Sequence, residues 1–188
     1  MKDFKGKYAL VTGAAGGIGV EISKLLAQKE VNLILVDIQK NKLDQVTSIL
    51  SKDYPTITIQ VFHLDLTDQL KVAEMVECIS KLDILINNAG IAFGGSFELM
   101  SYELIEKTLT VNLLSTIYLT HAFIPLLKKN KTSHIVNVAS GAGLVGPGGM
   151  VAYGVSKFGL VGFSEALRAE LKEDNVVVSV VCPGFVQT

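Results

Sequence analysis

Lys7-Tyr-Ala-Leu-Val-Thr12-Gly13-Ala-Ala-Gly16-Gly17-Ile18-Gly19-Val20-Glu-Ile-Ser-Lys-Leu-Leu-Ala27 is the stretch on which the fold turns. Lys7–Thr12 reads as a short buried strand, and Val20–Ala27 carries apolar residues at helical spacing. A strand that feeds a glycine-rich turn opening a helix is where a pyrophosphate binds. Glycines admit close backbone approach, and the helix N-terminus offers N–H donors and the positive end of its dipole. A second strand, Asn32-Leu-Ile-Leu-Val-Asp37, ends in a carboxylate 24 residues past Gly13. That placement suits an acid bonded to an adenosine ribose. The competing account is a glycine-rich packing turn beside an ordinary strand-end Asp; correct context at both ends favours the nucleotide.

Outward from this stretch the chain alternates strand and helix throughout. Apolar strands are expected at Tyr8–Val11, Asn32–Val36, Ile57–Phe62, Ile84–Asn87, His134–Ala139 and Val176–Val181. Helical patterns fill the gaps near Gly17–Gln28, Lys42–Leu50, Gln69–Ile79, Tyr102–Leu127 and Val151–Lys172. Runs such as Val176-Val-Val-Ser-Val-Val do not alternate in polarity, as expected of parallel strands covered on both faces. The repeated βαβ order implies an α/β domain of Rossmann type with a doubly wound, mostly parallel sheet. Ligands then bind at the carboxyl ends of the strands. Asp37, Asp65, Asn88 and Ser140 each follow a strand and face that crevice.

A second informative stretch runs from Ser140 through Gly-Pro-Gly-Gly to Tyr153-Gly-Val-Ser-Lys157. On a helix, positions four apart share a face, so the phenol and the ammonium point the same way. A phenol is a weak acid, with a pKa near ~10, and an ammonium held beside one favours its charged form. Ser140 adds a hydroxyl for a carbonyl oxygen. Such a trio suits proton transfer to or from a substrate oxygen. Alone, Tyr-x-x-x-Lys is a common accident on helices; the glycine turn gives it weight.

These motifs, in this order, resemble the classical short-chain dehydrogenase/reductase family, and the likeness covers essentially the whole chain. Thr12-Gly-x-x-x-Gly17-x-Gly19 is similar to its cofactor turn, and Asn87-Asn88-Ala89-Gly90 to its motif after the fourth strand. Asn112, Ser140, Tyr153 and Lys157 fall where the family carries its catalytic tetrad, with 13 residues from Ser140 to Tyr153. Pro183-Gly184-Phe-Val186-Gln-Thr188 resembles the segment that closes over the nicotinamide. The resemblance implies cofactor contacts from Gly13, Gly16, Gly17, Ile18, Gly19, Asp37, Asp65, Leu66, Asn88, Ala89, Gly90, Tyr153, Lys157, Pro183, Gly184, Val186 and Thr188. It also implies a bend at Asn112 with a proton-relaying water. Asp65 reads equally as a helix N-terminal acid ahead of Thr67-Asp68.

Asp37 favours NAD over NADP, because a carboxylate repels a 2′-phosphate in the same place. Gly16 stands where many NADP-using relatives carry a base, although Lys40 and Lys42 lie close by. The expected activity is hydride transfer between NAD(H) and a ketone or secondary alcohol. Tyr153 would exchange the proton, Ser140 polarise the oxygen, and Lys157 hold the nicotinamide ribose. Ile91, Phe93, Leu99, Leu144, Val145 and Met150 are candidate apolar walls for that substrate, or simply core. Gly141-x-Gly143-x-x-Gly146 matches a second nucleotide turn, but Pro147 keeps a helix from opening on it. It reads as a flexible wall of the substrate pocket.

The bulk numbers fit a single enzyme domain spanning residues 1–188, carrying both cofactor and catalytic residues. The 17 basic and 18 acidic residues leave a net charge of −1 with no basic stripe, arguing against nucleic acid as a partner. No secretory leader is visible, and no uncharged apolar run reaches the ~18 residues of a membrane span, so a cytoplasmic protein is expected. Cys78 and Cys182 show no metal-site spacing and are expected to be buried free thiols. His63, His121 and His134 likewise lack ligand spacing, so no metal is expected. The family usually continues past its Pro-Gly motif with a lid, a helix and a last strand. The expectation is therefore either a shortened version or a record without that remainder. Apolar residues around much of Tyr102–Leu127 and Val151–Lys172 suggest a homodimer or homotetramer. A non-catalytic dinucleotide-binding protein and an epimerase that retains NAD are the alternatives.

Overall fold

The computed structural model describes residues 4–184. Six strands, β1 (Tyr8–Thr12), β2 (Asn32–Asp37), β3 (Ile59–His63), β4 (Ile84–Asn87), β5 (Ser133–Val138) and β6 (Val176–Val181), form one sheet in the order β3-β2-β1-β4-β5-β6. Every neighbouring pair is parallel. The order reverses between β1 and β4. Connections leaving those two strands diverge and open a crevice at their carboxyl ends.

Parallel pairing needs helical crossovers, and these cover both faces. Leu33 and Leu35 of β2 pack with Ala27 of α1 (Gly17–Gln28) and Leu43 and Leu50 of α2 (Lys40–Asp53). Ile34 and Val36 turn to the opposite core, which holds Met75 of α3 (Gln69–Cys78), Phe123 of α5 (Ser115–Leu127) and Leu167 of α6 (Val151–Glu170). Consecutive residues of β2 thus enter different cores, which is why the strand is apolar throughout. Burying each large side chain stabilises the domain by roughly 1.5–3 kcal/mol, giving the strand ends a firm base.

The expected elements are all present, with shifted ends. The third strand begins at Ile59 instead of Ile57, and α2 extends to Asp53. Tyr102–Leu127 is interrupted where the resemblance implied a bend, at Asn112. This run comprises α4 (Tyr102–Leu109), a π-helical turn at Thr110–Leu114 and then α5. By length and composition it could cross a membrane, contrary to the expectation from sequence. Its inner face, with Leu119, Phe123 and Leu127, packs under the sheet. The cysteines also depart from expectation. Cys78, closing α3, is exposed and Cys182 is half-buried. Cys78 is the last residue of α3 and Cys182 the first after β6, where the core no longer covers them.

Candidate active site

The glycine turn at the end of β1 is built by close backbone approach. Gly13 has φ 63°, and a Cβ there would meet Ala89 Cα at 2.8 Å, so the loop after β4 lies directly against it. Thr12 Oγ1 accepts from the backbone N–H groups of Asn88 (3.0 Å) and Ala89 (3.1 Å). The Asn88 amide donates back to the carbonyls of Thr12 (3.0 Å) and Gly13 (3.1 Å). A Cβ on Gly19 would fall on the Gly13 carbonyl, so this glycine lets helix and turn touch. No side chain caps α1, whose N-cap is Gly16. Its first amides therefore have neither intrahelical nor side-chain acceptors, which suits an anion.

Asp37, at the end of β2, is buried and faces this turn. Its Oδ2 accepts from Ala15 N at 2.9 Å and its Oδ1 from Gln39 N at 2.8 Å. The carboxylate thus fastens the glycine turn to the next strand and retains acceptor capacity on both oxygens. Asp65 Oδ1 accepts from Thr67 N and Oγ1, so its local turn role is realised, while Asp68 caps α3. A cleft of about 450 Å³ joins these parts. Gly13, Gly16, Gly17, Ile18, Asp37, Asp65, Leu66, Asn88, Ala89 and Gly90 all line it; Gly19 does not. Backbone amides, an uncapped helix end and a strand-end acid fit a dinucleotide. Sequence reasoning missed Lys107 and Val111, four residues apart and both lining the same cleft. Their spacing was legible, but not the side of the helix they present.

Beyond Gly90 the cleft meets a second cluster. A Cβ on Gly90 would lie 3.2 Å from Asn112 Oδ1 and 3.5 Å from Lys157 Nζ, so three separate elements converge there. Lys157 is 4% exposed; its Nζ donates to Val138 O at 2.9 Å and stands 5.6 Å from the centre of the Tyr153 ring. Burial lowers its pKa to about 8. Asn112 sits in the π turn and is fully buried. Its amide donates to Ile91 O (2.8 Å) and Ser156 Oγ (3.1 Å), and its Oδ1 accepts from Ile91 N (2.8 Å). It brackets the loop after β4 against α6. Ser156, a partner the sequence did not flag, completes that bracket.

Ser140 follows β5, and its Oγ accepts from Ala142 N at 3.2 Å, which leaves its own hydrogen to donate elsewhere. A Cβ on Gly143 would meet Lys157 O at 2.7 Å. The turn after Ser140 is therefore fixed against α6, correcting the expectation of a flexible wall over Gly141–Gly143. Gly146 and Gly148 have open space around them. Farther out, Gly95 N donates to Gly149 O at 2.8 Å, tying the loop after β4 to the loop before α6. Phe93, Leu99, Leu144 and Val145, in the two segments that this bond joins, are exposed. Beneath the site, Asn87 and Asn137, opposite each other in register, bond one another and reach Thr120 and Ser164. The Pro183 carbonyl accepts from Gly141 N at 2.8 Å, so Pro183 lies beside Ser140's turn, while Gly184 has open space around it; Val186 and Thr188 fall outside the described residues. Among the described residues no cluster of ligands could hold a metal ion.

A profile described as short chain dehydrogenase matches residues 7–188. The chain is 38% identical over 196 residues to the CLA biosynthesis dehydrogenase/reductase of Lactiplantibacillus plantarum, covering 100% of this chain and 68% of that protein. It is 34% identical to the 3-oxoacyl-(acyl-carrier-protein) reductase FabG of Thermotoga maritima, covering 98% of this chain and 76% of that one. Among solved structures, an NAD⁺-bound xylitol dehydrogenase superposes with a TM-score of 0.94 at 28% identity, covering 100% of this chain and 73% of that chain. A short chain dehydrogenase/reductase from Burkholderia phymatum in complex with NAD gives a TM-score of 0.92 at 30% identity, covering 99% of this chain and 68% of that one.

Proposed function

The chain belongs to the short-chain dehydrogenase/reductase family of oxidoreductases, and from that membership we propose that it transfers a hydride between NAD(H) and a ketone or secondary alcohol on an apolar skeleton. One observation carries this reading. The glycine-lined cleft ends at Gly90, where Asn112 and Lys157 meet and Tyr153 stands beside the ammonium.

The turn at Gly13–Gly19 and the uncapped start of α1 would hold the pyrophosphate, and Asp37 the adenosine ribose. Two of the superposing structures contain NAD, which supports the same choice here. The nicotinamide, when bound, gives or takes the hydride. In reduction Tyr153 donates a proton to the substrate oxygen as that carbon gains the hydride, completing an alcohol. Ser140 donates its free hydrogen to the same oxygen and fixes the carbonyl's direction. Lys157, with one hydrogen spent on Val138 O, keeps two for the ribose and the proton path. The π turn holding Asn112 would, by the family resemblance, seat the relaying water. The exposed apolar residues in the two segments joined by the Gly95–Gly149 bond support an apolar substrate.

The activity is read from NADH absorbance against ketones and secondary alcohols, across pH. Lys157 is protonated below about pH 8 and loses its proton as pH rises through that value. We expect kcat/KM for ketone reduction, which reports the free enzyme, to fall above about pH 8. A profile still climbing at about pH 10 would remove the protonated ammonium from the scheme, and no turnover of any compound would remove the scheme itself.

Assembly follows from the outer faces of two helices. Val151, Val155 and Phe158 on α6 and Leu114 and Tyr118 beside and on α5 leave large apolar groups exposed. We expect these faces to pair between copies in a homodimer or homotetramer. Sedimentation velocity at micromolar concentration reads this directly, and a stable monomer refutes it.

A further inference from the structure

We propose that Lys107 is a cofactor-binding residue, its ammonium stabilising the anionic diphosphate of a dinucleotide held in the cleft. This rests on the dinucleotide reading of the cleft and assigns it a cation. Among the described lining residues Lys107 is the sole base, in a cleft that it shares with the acids Asp37 and Asp65. Without it every charged side chain around the cleft would repel a phosphate.

Lys107 is an exposed residue of α4 at the border of the cleft, and neither of two common local roles for such a lysine accounts for it. A base in the last turn of a helix usually offsets free carbonyls at its C-terminus. Here α4 runs straight into the π turn and α5, so no carbonyl end is exposed near Lys107. An acid four residues earlier on a helix commonly pairs with a lysine. Glu103 is instead engaged with its own backbone and the Ser101 hydroxyl at the start of α4, which holds its carboxyl below the usual range. Lys107 enters none of the ion pairs found among the described residues. One turn along, Val111 offers the same cleft an apolar surface. An ammonium has three donors, no acceptor and a long flexible stem, so an anion within reach is its natural partner.

The test is equilibrium binding, by NADH fluorescence and by calorimetry for ADP-ribose and adenosine, at low and high salt. Lys107→Gln should weaken NADH and ADP-ribose alike by roughly 3–10-fold at low salt, with the gap closing at high salt. Lys107→Arg should bind nearly as the parent, and adenosine, which lacks the diphosphate, should be indifferent to both changes. Unchanged NADH affinity in Lys107→Gln at low salt overturns the proposal. So does an equal loss for adenosine, which would mean a damaged slot, or a failure of arginine to rescue. A parent chain that binds neither NADH nor ADP-ribose defeats the dinucleotide reading itself, and the role of Lys107 with it.

Discussion

Tyr153→Phe should lower turnover by about a thousandfold while leaving NADH affinity within roughly twofold, because a positioned proton donor contributes about 10²–10⁴ in rate. The substitution removes one oxygen and keeps the ring. Tyr153 lies in the first turns of α6, where its carbonyl accepts from Ser156 Oγ at 2.6 Å, and this backbone bond is untouched. Lys157 is held by Val138 O independently of the hydroxyl, so its place over the ring persists. Loss of rate without loss of binding is therefore the signature of a proton-transfer group. Absorbance at saturating NADH measures the rate, and fluorescence titration the affinity. Near-normal turnover would take Tyr153 out of the chemistry.

Asp37→Ser should reverse cofactor preference, shifting the NADPH-to-NADH ratio of kcat/KM by roughly a hundredfold, or about 2.7 kcal/mol. Two effects add. Removing the carboxylate ends its repulsion of a 2′-phosphate, and it also ends acceptance from the ribose hydroxyls of NADH. The structure attaches a cost. Ala15 N and Gln39 N lose a charged acceptor, and a serine hydroxyl can replace one of them at most. Both bonds are only partly buried, so each donor left unpaired costs at most about 1–3 kcal/mol, and thermal stability should fall modestly together with NADH affinity. Parallel kinetics with both cofactors, alongside thermal unfolding, separate the terms. An unaltered cofactor ratio in a folded variant would mean that Asp37 serves the turn alone.

The sheet was legible because its determinants are local. Asn32–Asp37 could be read as a doubly covered strand from composition, and the glycine turn from its position between strand and helix. The reach of side chains was not legible. Thr12 and Ser156 are ordinary residues in sequence, and only the approach of β4 to β1, and of Asn112 to α6, makes them fasteners. The apolar pattern of Tyr102–Leu127 reads as one continuous helix, since one extra residue in a turn leaves no mark there; the bend at Asn112 was expected only from the family resemblance. Cys78 was misjudged because burial at an element's end depends on what packs next to it, not on residue type. Lys107 was passed over because a lysine on a helix normally belongs to water.

The hydrogen bond between Gly95 and Gly149 couples two segments that are more than fifty residues apart in sequence. Both glycines have positive φ, 146° and 75°, conformations that other residues adopt only under strain. The loop after β4 and the loop before α6 are therefore positioned together, and a substitution that displaces Gly95 is carried across the bond to Gly149.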